Sequence, residues 1–255
     1  MNIQFCNETV SVIIPVYNAQ NYIKQAIESV LKQTYTNIEI IIIDDCSTDN
    51  SASLIDSYKQ IYSNVKYYLL EKNRGAGYAR NKAIELATGR FIAFLDSDDI
   101  WYEDKIKKQI EFMKKVKCPF CYTAIEMIDN EGNLLKKKRN IREFCDYNYL
   151  LKNTIIATST VVIDRKYFSD FKMSLRRGGQ DYSTWLRLLR NGCIAMGLNE
   201  SLVSYRISRG SLSSNKLKSI KQIWDIQTKD EGINELNVIL NILFFLYNAF
   251  MKYFI

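Results

Sequence analysis

Two closely spaced carboxylates at the end of an apolar segment could hold a divalent cation. Residues 91–95 are continuously apolar, and Asp96, Asp98 and Asp99 follow them directly. Side chains two positions apart in an extended chain point to the same side, so Asp96 and Asp98 are neighbours. Such a pair repels by roughly 3 kcal/mol at an effective dielectric of about 20, and a hard cation removes that cost. We therefore predict a Mg²⁺ or Mn²⁺ site here; the alternative is a solvated acidic loop.

The absence of histidine limits the chemistry that this chain can perform. None of its 255 residues is histidine, which excludes Ser-His-Asp and Cys-His catalysis and zinc sites with histidine ligands. A general base must then be Asp, Glu, Lys, Tyr or Cys. The formal net charge of +7 favours an anionic partner. No nucleic-acid-binding motif accompanies the basic clusters, so we expect no nucleic-acid partner.

The first hundred residues predict the elements that would position these carboxylates. Apolar strand-like runs alternate with segments of helical periodicity, which indicates βαβ units and a parallel sheet. The runs lie at residues 10–16, 38–43, 65–70 and 91–96. Carboxyl ends of parallel strands share one edge of the sheet, so the polar groups that follow these runs converge in one crevice.

The second half continues the same domain with less regular elements. An apolar run at 120–128 and the turn at 130–133 predict an antiparallel hairpin. A further strand is predicted at 160–163 and a helix at 181–190. No linker-like composition interrupts the chain before residue 215. We predict a mixed α/β domain over residues 1–215, with a mainly parallel sheet flanked by helices, and a helical extension over 216–255.

The last twenty residues predict an amphipathic helix. Residues 236–255 carry one charge, on Lys252. At helical spacing their polar side chains fall within about 60° of one another, together with that of Asn234. These polar residues are Asn234, Asn237, Asn241, Asn248 and Lys252. We expect the helix to lie at an interface, and a membrane surface, the domain itself and a second subunit in a homodimer all remain open.

The motifs at the strand ends resemble those of a known enzyme family. Over nearly all of residues 9–215 the chain resembles a family 2 glycosyltransferase with the GT-A fold, a Rossmann-like architecture. The matching motifs are Val-Ile-Ile-Pro-Val-Tyr-Asn at 12–18, Ile-Asp-Asp-Cys-Ser-Thr-Asp at 43–49, Asn-Arg-Gly at 73–75, Ala-Arg-Asn at 79–81, Phe-Leu-Asp-Ser-Asp-Asp at 94–99 and Gln-Asp at 180–181.

The resemblance implies a role for each matching residue. A UDP-sugar would be the donor, and transfer would invert its anomeric centre. The implied donor-binding residues are Pro15 and Tyr17 beside the uracil ring, Asp45 and Arg74 as its hydrogen-bonding partners, Asp96 at the ribose, and Arg206 and Arg209 at the diphosphate. Asp98 would bind Mn²⁺ or Mg²⁺ bridging that diphosphate.

Asp181 occupies the position of the family's catalytic base. It would accept the proton of the acceptor hydroxyl. The alternative role is an N-cap, because Asp181 precedes an apolar-periodic helix and Asp is a favoured cap. Two departures from the family pattern concern the same motifs. Gln180 replaces the usual Glu, and Cys46 stands where Gly is common.

We therefore expect a metal-dependent inverting hexosyl- or N-acetylhexosaminyltransferase. Its acceptor would be a saccharide linked to a lipid such as polyprenyl diphosphate, in the synthesis of a surface polysaccharide such as capsule or O-antigen. Residues 1–10 lack signal-peptide features, so we expect a cytoplasmic enzyme peripheral to the inner face of the membrane. The alternatives are a sugar-1-phosphate nucleotidyltransferase, which would need a glycine-rich basic loop after the first strand, and a non-catalytic carbohydrate- or membrane-binding protein.

Overall fold

A ten-stranded sheet forms the centre of the computed structural model, which describes residues 6–139, 141–168, 171–207 and 216–254. The strands are β1 (Cys6–Val16), β2 (Ile38–Asp44), β3 (Val65–Leu69), β4 (Gly89–Phe94), β5 (Ile100–Trp101), β6 (Phe120–Ile128), β7 (Leu134–Arg139), β8 (Phe144–Cys145), β9 (Val162–Asp164) and β10 (Ala195–Arg206). The helices are α1 (Ile23–Leu31), α2 (Ser51–Ile61), α3 (Ala76–Leu86), α4 (Lys105–Val116), α5 (Tyr147–Leu151), α6 (Gln180–Leu189), α7 (Lys216–Asp225) and α8 (Glu235–Phe254).

The strand order is β3-β2-β1-β4-β9-β6-β10-β5, with β7 beside β6 and β8 beside β10. The first four strands along this order pair in parallel, and so do β6 and β10. Strand β9 is antiparallel to both of its neighbours and joins the two parallel parts. The predicted mixed, mainly parallel sheet flanked by helices is confirmed.

Helices cover both faces of the sheet, which explains why its inner strands are apolar throughout. All residues of β2 are buried, and successive side chains face opposite layers. Ile41 and Ile43 pack in the layer that contains α3 and α6, whereas Ile40 and Ile42 pack in the layer of α1 and α4. Burying each such side chain contributes about 1.5–3 kcal/mol to folding.

Two elements differ from the sequence prediction for reasons of local hydrogen bonding. The strand expected at 160–163 begins at Val162, because Thr158–Thr160 form a 3₁₀ turn. Within that turn the Ser159 hydroxyl donates to Asp99 Oδ2 and accepts from the backbone N–H of Asp96. The long strand β10 was not predicted. Its polar interior around Ser201, where the pairing with β6 shifts register, interrupts the apolar alternation.

The C-terminal helices pack on the same core as α6. Ile223 of α7 and Ile226 of the following π-helical segment (Ile226–Asp230) belong to that core cluster. The predicted terminal helix is present as α8. The boundary between residues 215 and 216 remains a prediction, since the chain from 208 to 215 lies outside the described residues. Among the helices that the structure describes, none is long and apolar enough to span a bilayer.

Candidate active site

The pairing of β1 with β4 ends just before Pro15. The last bond between the two strands runs from Leu95 N to Ile13 O (3.0 Å). Pro15 is two residues beyond Ile13 in the strand, so its backbone nitrogen points to the side of β1 on which β4 lies. Strand β4 has already ended at that level. A proline therefore fits within this central strand without a lost hydrogen bond. Its other edge stays paired with Ile43 of β2.

Asp45 connects the end of β2 to the loop before α3. Its two carboxylate oxygens accept from the backbone N–H groups of Arg74 and Gly75, each at 2.7 Å. The Arg74 guanidinium stacks on the ring of Tyr78, 3.6 Å from its centre. Tyr17, which directly follows β1, is half exposed. The structure thus brings Pro15, Tyr17, Asp45 and Arg74 to the predicted edge. A carboxylate oxygen has a second lone pair, so Asp45 retains capacity for a ligand.

Cys46 adopts the backbone conformation for which glycine is usual. Its φ is +66°, in the left-handed region that glycine reaches without strain. The turn after Asp45 is therefore kept although a side chain is present, and the Cys46 thiol donates to Glu71 O (3.8 Å). This departure from the family pattern leaves the local geometry of the turn intact.

The three carboxylates after β4 have different surroundings. Asp96 forms an ion pair with Arg80 through Oδ1. The buried Asp99 accepts from Ser159 and from the backbone N–H of Arg206. Asp98 accepts no side-chain hydrogen bond within the described part of the chain. Burial and the neighbouring Asp96 carboxylate raise the pKa of Asp98 to about 6. Among the three, Asp98 is therefore the carboxylate to which the described residues offer neither an ion pair nor a side-chain hydrogen bond.

Arg206 supports the Asp98 loop from within the protein, and its expected contact with the diphosphate stays a prediction. It is only 3% exposed. Its Nε donates to Asp98 O (2.8 Å), and its Nη1 donates to Asp129 O and Asn130 O. Nη2 donates to Gln25 Oε1 (2.7 Å). Arg209 lies outside the described residues.

Asp181 lies in the first turn of α6 and is not its N-cap. Gly179 occupies the cap position with φ +67°, and the helix begins at Gln180. Asp181 Oδ1 accepts from the backbone N–H of Tyr182 (2.8 Å). Burial raises the pKa of Asp181, the Arg80 charge lowers it, and the Asp96 charge raises it. The capping alternative is thus wrong, and the side chain is electrically coupled to the carboxylates at the end of β4.

Arg80 is the site residue to which the motifs assigned no role. Its guanidinium acts electrostatically on Asp96, Asp98 and Asp181 together. It is buried on α3, and its Nε and Nη1 have no hydrogen-bond partner among the described residues. The sequence does contain a signal for Arg80. It is a charged residue on the apolar face of a helix, next to Ala79 and three positions before Ala83. An arginine there is stable only with a carboxylate beside it.

The next residue on α3 aligns α6 with this cluster. The Asn81 side chain donates to Met173 O (2.9 Å) and accepts from Met173 N (2.6 Å). This pair ties the segment that leads into α6 to α3. Gln180, which replaces the usual Glu, lies against Gly77, where an added Cβ would come within 2.5 Å of Gln180 Oε1. The Gln180 oxygen is buried and has no hydrogen-bond partner in the part of the chain that the structure describes.

The carboxylate oxygens of Asp98 fit a hard divalent cation whose coordination shell is completed by substrate oxygens. No group of three or more His, Cys, Asp or Glu side chains that could hold a metal occurs within the described residues. A cation here would therefore take one or two carboxylate oxygens, with the remaining positions filled by phosphate and water, as is usual for Mg²⁺. The half-buried, unpaired Asp98 carboxylate suits that arrangement.

Comparisons with known proteins agree with this geometry. The family model described as "Glycosyl transferase family 2" matches residues 11–178. The chain is 44% identical over 225 residues to the putative teichuronic acid biosynthesis glycosyltransferase TuaG of Bacillus subtilis, covering 88% of this chain and 89% of that protein. It is 41% identical over 218 residues to the UDP-Glc:α-D-GlcNAc-diphosphoundecaprenol β-1,3-glucosyltransferase WfgD of Escherichia coli, covering 85% and 84%.

A solved structure shares the fold. TarS of S. aureus in complex with UDP-GlcNAc superposes with a TM-score of 0.70 at 21% sequence identity, covering 93% of this chain and 71% of TarS. At that identity the likeness concerns the fold alone, which is GT-A. The family match over most of the chain and the two sequence relatives together show that this chain belongs to glycosyl transferase family 2.

Proposed function

We propose that this protein transfers a sugar, with inversion, from a UDP-sugar to a hydroxyl of a saccharide linked to polyprenyl diphosphate. The observation that carries the proposal is the ion pair of Arg80 with Asp96 at the carboxyl edge of the sheet, together with the Arg80 charge that counteracts the raised pKa of both Asp98 and Asp181. The relative WfgD supports the donor and acceptor classes by its name, and TarS supports the donor class through its bound UDP-GlcNAc.

The donor lies along the crevice in this proposal. The uracil ring contacts Tyr17 and the backbone near Pro15, and it exchanges hydrogen bonds with Asp45 and Arg74. The ribose hydroxyls donate to Asp96, whose Oδ1 is oriented by Arg80. A divalent cation held by Asp98 would neutralise the charge that develops on departing UDP.

Asp181 acts as the general base in this mechanism. The acceptor hydroxyl donates its proton to the Asp181 carboxylate while its oxygen attacks the anomeric carbon from the face opposite UDP. The bond from that carbon to the β-phosphate oxygen breaks, and its electron pair leaves with UDP. Displacement from the opposite face inverts the anomeric centre. Burial raises the pKa of Asp181, so its carboxylate is a stronger base than an exposed one.

The function is tested by measuring UDP release from a panel of UDP-sugars. Each reaction contains Mn²⁺ and a GlcNAc diphosphate carrying a short polyprenyl chain, and NMR determines the anomeric configuration of the product. We expect one donor to be preferred and the configuration to be inverted. Pyrophosphate release from UTP and a sugar 1-phosphate would instead identify a nucleotidyltransferase. Donor binding without turnover under all conditions would indicate a non-catalytic protein.

The surface of α8 supports a peripheral contact with the membrane that carries such an acceptor. One side of the helix faces the protein, where Val238 is fully buried and the buried Asn241 donates to Gln227 Oε1 (2.9 Å). Asn248 donates to Lys152 O and Asn153 Oδ1. The opposite face is apolar and between 44% and 76% exposed, and it consists of Leu236, Ile239, Leu240, Leu243, Phe244, Leu246 and Tyr247.

We infer that this face enters the interfacial region of the inner leaflet. A large exposed apolar patch on a helix marks an interaction site. The Lys152 ammonium lies 5.0 Å from the centre of the Phe244 ring, which places a positive charge at the rim of the patch, where anionic lipid headgroups would lie. An acceptor with a polyprenyl chain is itself embedded in the membrane, so anchoring the enzyme there raises its encounter rate with the acceptor.

Replacing Leu243 and Phe244 by Glu is expected to weaken sedimentation with anionic vesicles by at least about tenfold, because each apolar side chain contributes about 1.5–3 kcal/mol when buried. The control replaces Ile61 and Leu69, which are also exposed but lie on α2 and β3, by Glu. It should sediment like the unmodified protein. If the unmodified protein does not sediment with vesicles and the α8 variant changes from dimer to monomer, the face is a subunit interface instead.

A further inference from the structure

A single hydroxyl group connects the two ends of the loop that carries Asp98. Ser159 Oγ accepts from the backbone N–H of Asp96 (3.0 Å) and donates to Asp99 Oδ2 (2.5 Å). The backbones of Asp96 and Asp99 are also joined directly, because Asp99 N donates to Asp96 O (3.1 Å). Ser159 is fully buried, so these bonds form in a medium of low dielectric constant and are strengthened by it. One side chain therefore holds both ends of the loop.

The turn that contains Ser159 is itself held by two buried side chains from β5 and α4. Trp101 Nε1 donates to Ser159 O (2.8 Å), and Gln109 Nε2 donates to Thr160 O (3.0 Å). The buried Lys105 ammonium donates to Gln109 Oε1 (2.7 Å). Because an ammonium group can only donate, it keeps the amide oxygen on its own side and leaves the amide nitrogen for Thr160 O. The Ser159 hydroxyl is thus presented from a fixed support.

The Asp98 carboxylate depends on this loop for its direction. No side chain of the described residues donates to that carboxylate, whereas Asp98 O accepts from Arg206 Nε (2.8 Å). The backbone between Asp96 and Asp99 therefore sets where the carboxylate points. A binding site works only when its ligands are held within about 0.5 Å of their productive positions. A loop that changed its shape would bind a cation less tightly.

We propose that Ser159 is a positioning residue for Asp98, and that its hydroxyl group strengthens the binding of a divalent cation together with the donor diphosphate. The inference rests on the proposed function, since it assigns a residue to the cation named there. Ser159 touches neither the cation nor the donor in this role, and it acts through the shape of residues 96–99. The alternative is a role in stability alone, in which the hydroxyl group only satisfies the buried Asp99 carboxylate.

The test measures how much Mn²⁺ strengthens the binding of UDP. Calorimetry gives the Kd for UDP without metal and at one fixed concentration of Mn²⁺, and the ratio of the first to the second is the readout. Ser159→Ala should lower this ratio by at least about fivefold, which is part of the roughly 10- to 100-fold that a hydrogen bond to a charged group is worth. A role in stability alone would leave the ratio unchanged, because both values are measured on folded protein.

Ser11→Ala is the matched control. The Ser11 hydroxyl is also fully buried, donates to Glu39 Oε1 (2.5 Å) and accepts from the backbone N–H of Gly89 (2.9 Å). This variant loses the same two kinds of bond near the amino ends of β2 and β4, at the opposite edge of the sheet from Asp98. Its Tm should fall, but its ratio should stay within about twofold of the unmodified value, since distant sites act almost independently. An equal fall of the ratio in both variants would overturn the inference.

A double variant shows whether Ser159 acts through Asp98. In the unmodified protein, Ser159→Ala should lower kcat/KM for the UDP-sugar by at least about fivefold. When Asp98 has already been replaced by Ala, the same change should cost less than about twofold, as expected of two residues that act as a unit. Equal losses in the two backgrounds would show that Ser159 acts independently of Asp98 and would overturn the inference.

Ser159→Cys covers the case in which the alanine variant fails to fold. A thiol is a weaker donor than a hydroxyl group, so the Mn²⁺ ratio should fall by at least about twofold. An unchanged ratio in a folded Ser159 variant overturns the inference while the proposed function stands. If Mn²⁺ does not strengthen UDP binding by the unmodified protein, the metal part of the proposed function fails together with the inference.

Discussion

Replacing Asp181 by Asn is expected to lower kcat by about 10²–10⁴-fold, the usual contribution of a general base. Asn keeps a side-chain oxygen that can accept from the backbone N–H of Tyr182, as Asp181 Oδ1 does at 2.8 Å, so the first turn of α6 should persist. What is lost is the ability to take the proton of the acceptor hydroxyl. The measurement is the initial rate of UDP release at saturating donor and acceptor, with the Kd for UDP as a check of the donor site.

The control for this variant is Asp56→Asn, which makes the same change of charge on the exposed face of α2. Asp56 pairs with Lys59 at 4.0 Å, an arrangement of little energetic weight at a surface. Its kcat should equal that of the unmodified protein. If Asp181→Asn turns over at the normal rate while binding UDP normally, Asp181 is not the base, and a different group must accept the proton.

Replacing Asp98 by Ala is expected to reduce transfer by roughly 100-fold or more, because a Lewis acid at a departing phosphate is worth several kcal/mol. Addition of EDTA to the unmodified protein should abolish transfer, and Mn²⁺ or Mg²⁺ should restore it. The structural reason is the isolation of Asp98: Asp96 is paired with Arg80 and Asp99 with Ser159 and Arg206. Calorimetric titration with UDP should show tighter binding in the presence of Mn²⁺ only when Asp98 is present.

The variant Asp98→Asn distinguishes the loss of a charged metal ligand from the loss of side-chain volume. The amide keeps the size of the carboxylate but supplies one neutral oxygen, so its activity should require a higher Mn²⁺ concentration than the unmodified protein. Full activity of the unmodified protein in the presence of chelator would contradict the metal assignment. The fold and the family membership would be unaffected by that outcome.

Several features of this protein could be predicted from its sequence because they depend on local pattern. Apolar runs separated by helical periodicity indicate a parallel sheet, and all such strands end at one edge. That reasoning brought Asp45 and Asp96 together although 51 positions separate them. The absence of histidine restricted the base to a few residue types, and the motifs pointed to Asp181. Two errors, at the start of β9 and in β10, arose where polar side chains override strand propensity.

The tertiary structure decided which partner each of the clustered carboxylates has. Asp96, Asp98 and Asp99 are equivalent in the sequence, and only their distant partners Arg80, Ser159 and Arg206 distinguish them. The motif predicted only a diphosphate contact for Arg206, and the tertiary structure adds its bonds to Gln25, 181 positions earlier, and to the Asp98 loop.

The direction in which α8 faces has the same origin. Its period of 3.6 residues predicts two faces but not which of them meets the domain. The side that contains Val238 and Asn241 turns inward, where Gln227 accepts from Asn241. Farther along the helix, Lys152 O and Asn153 Oδ1 accept from Asn248. Buried polar groups are stable only with such partners. Those partners are set by the packing of α5, α6 and the π-helical segment, which no local pattern in residues 236–255 records.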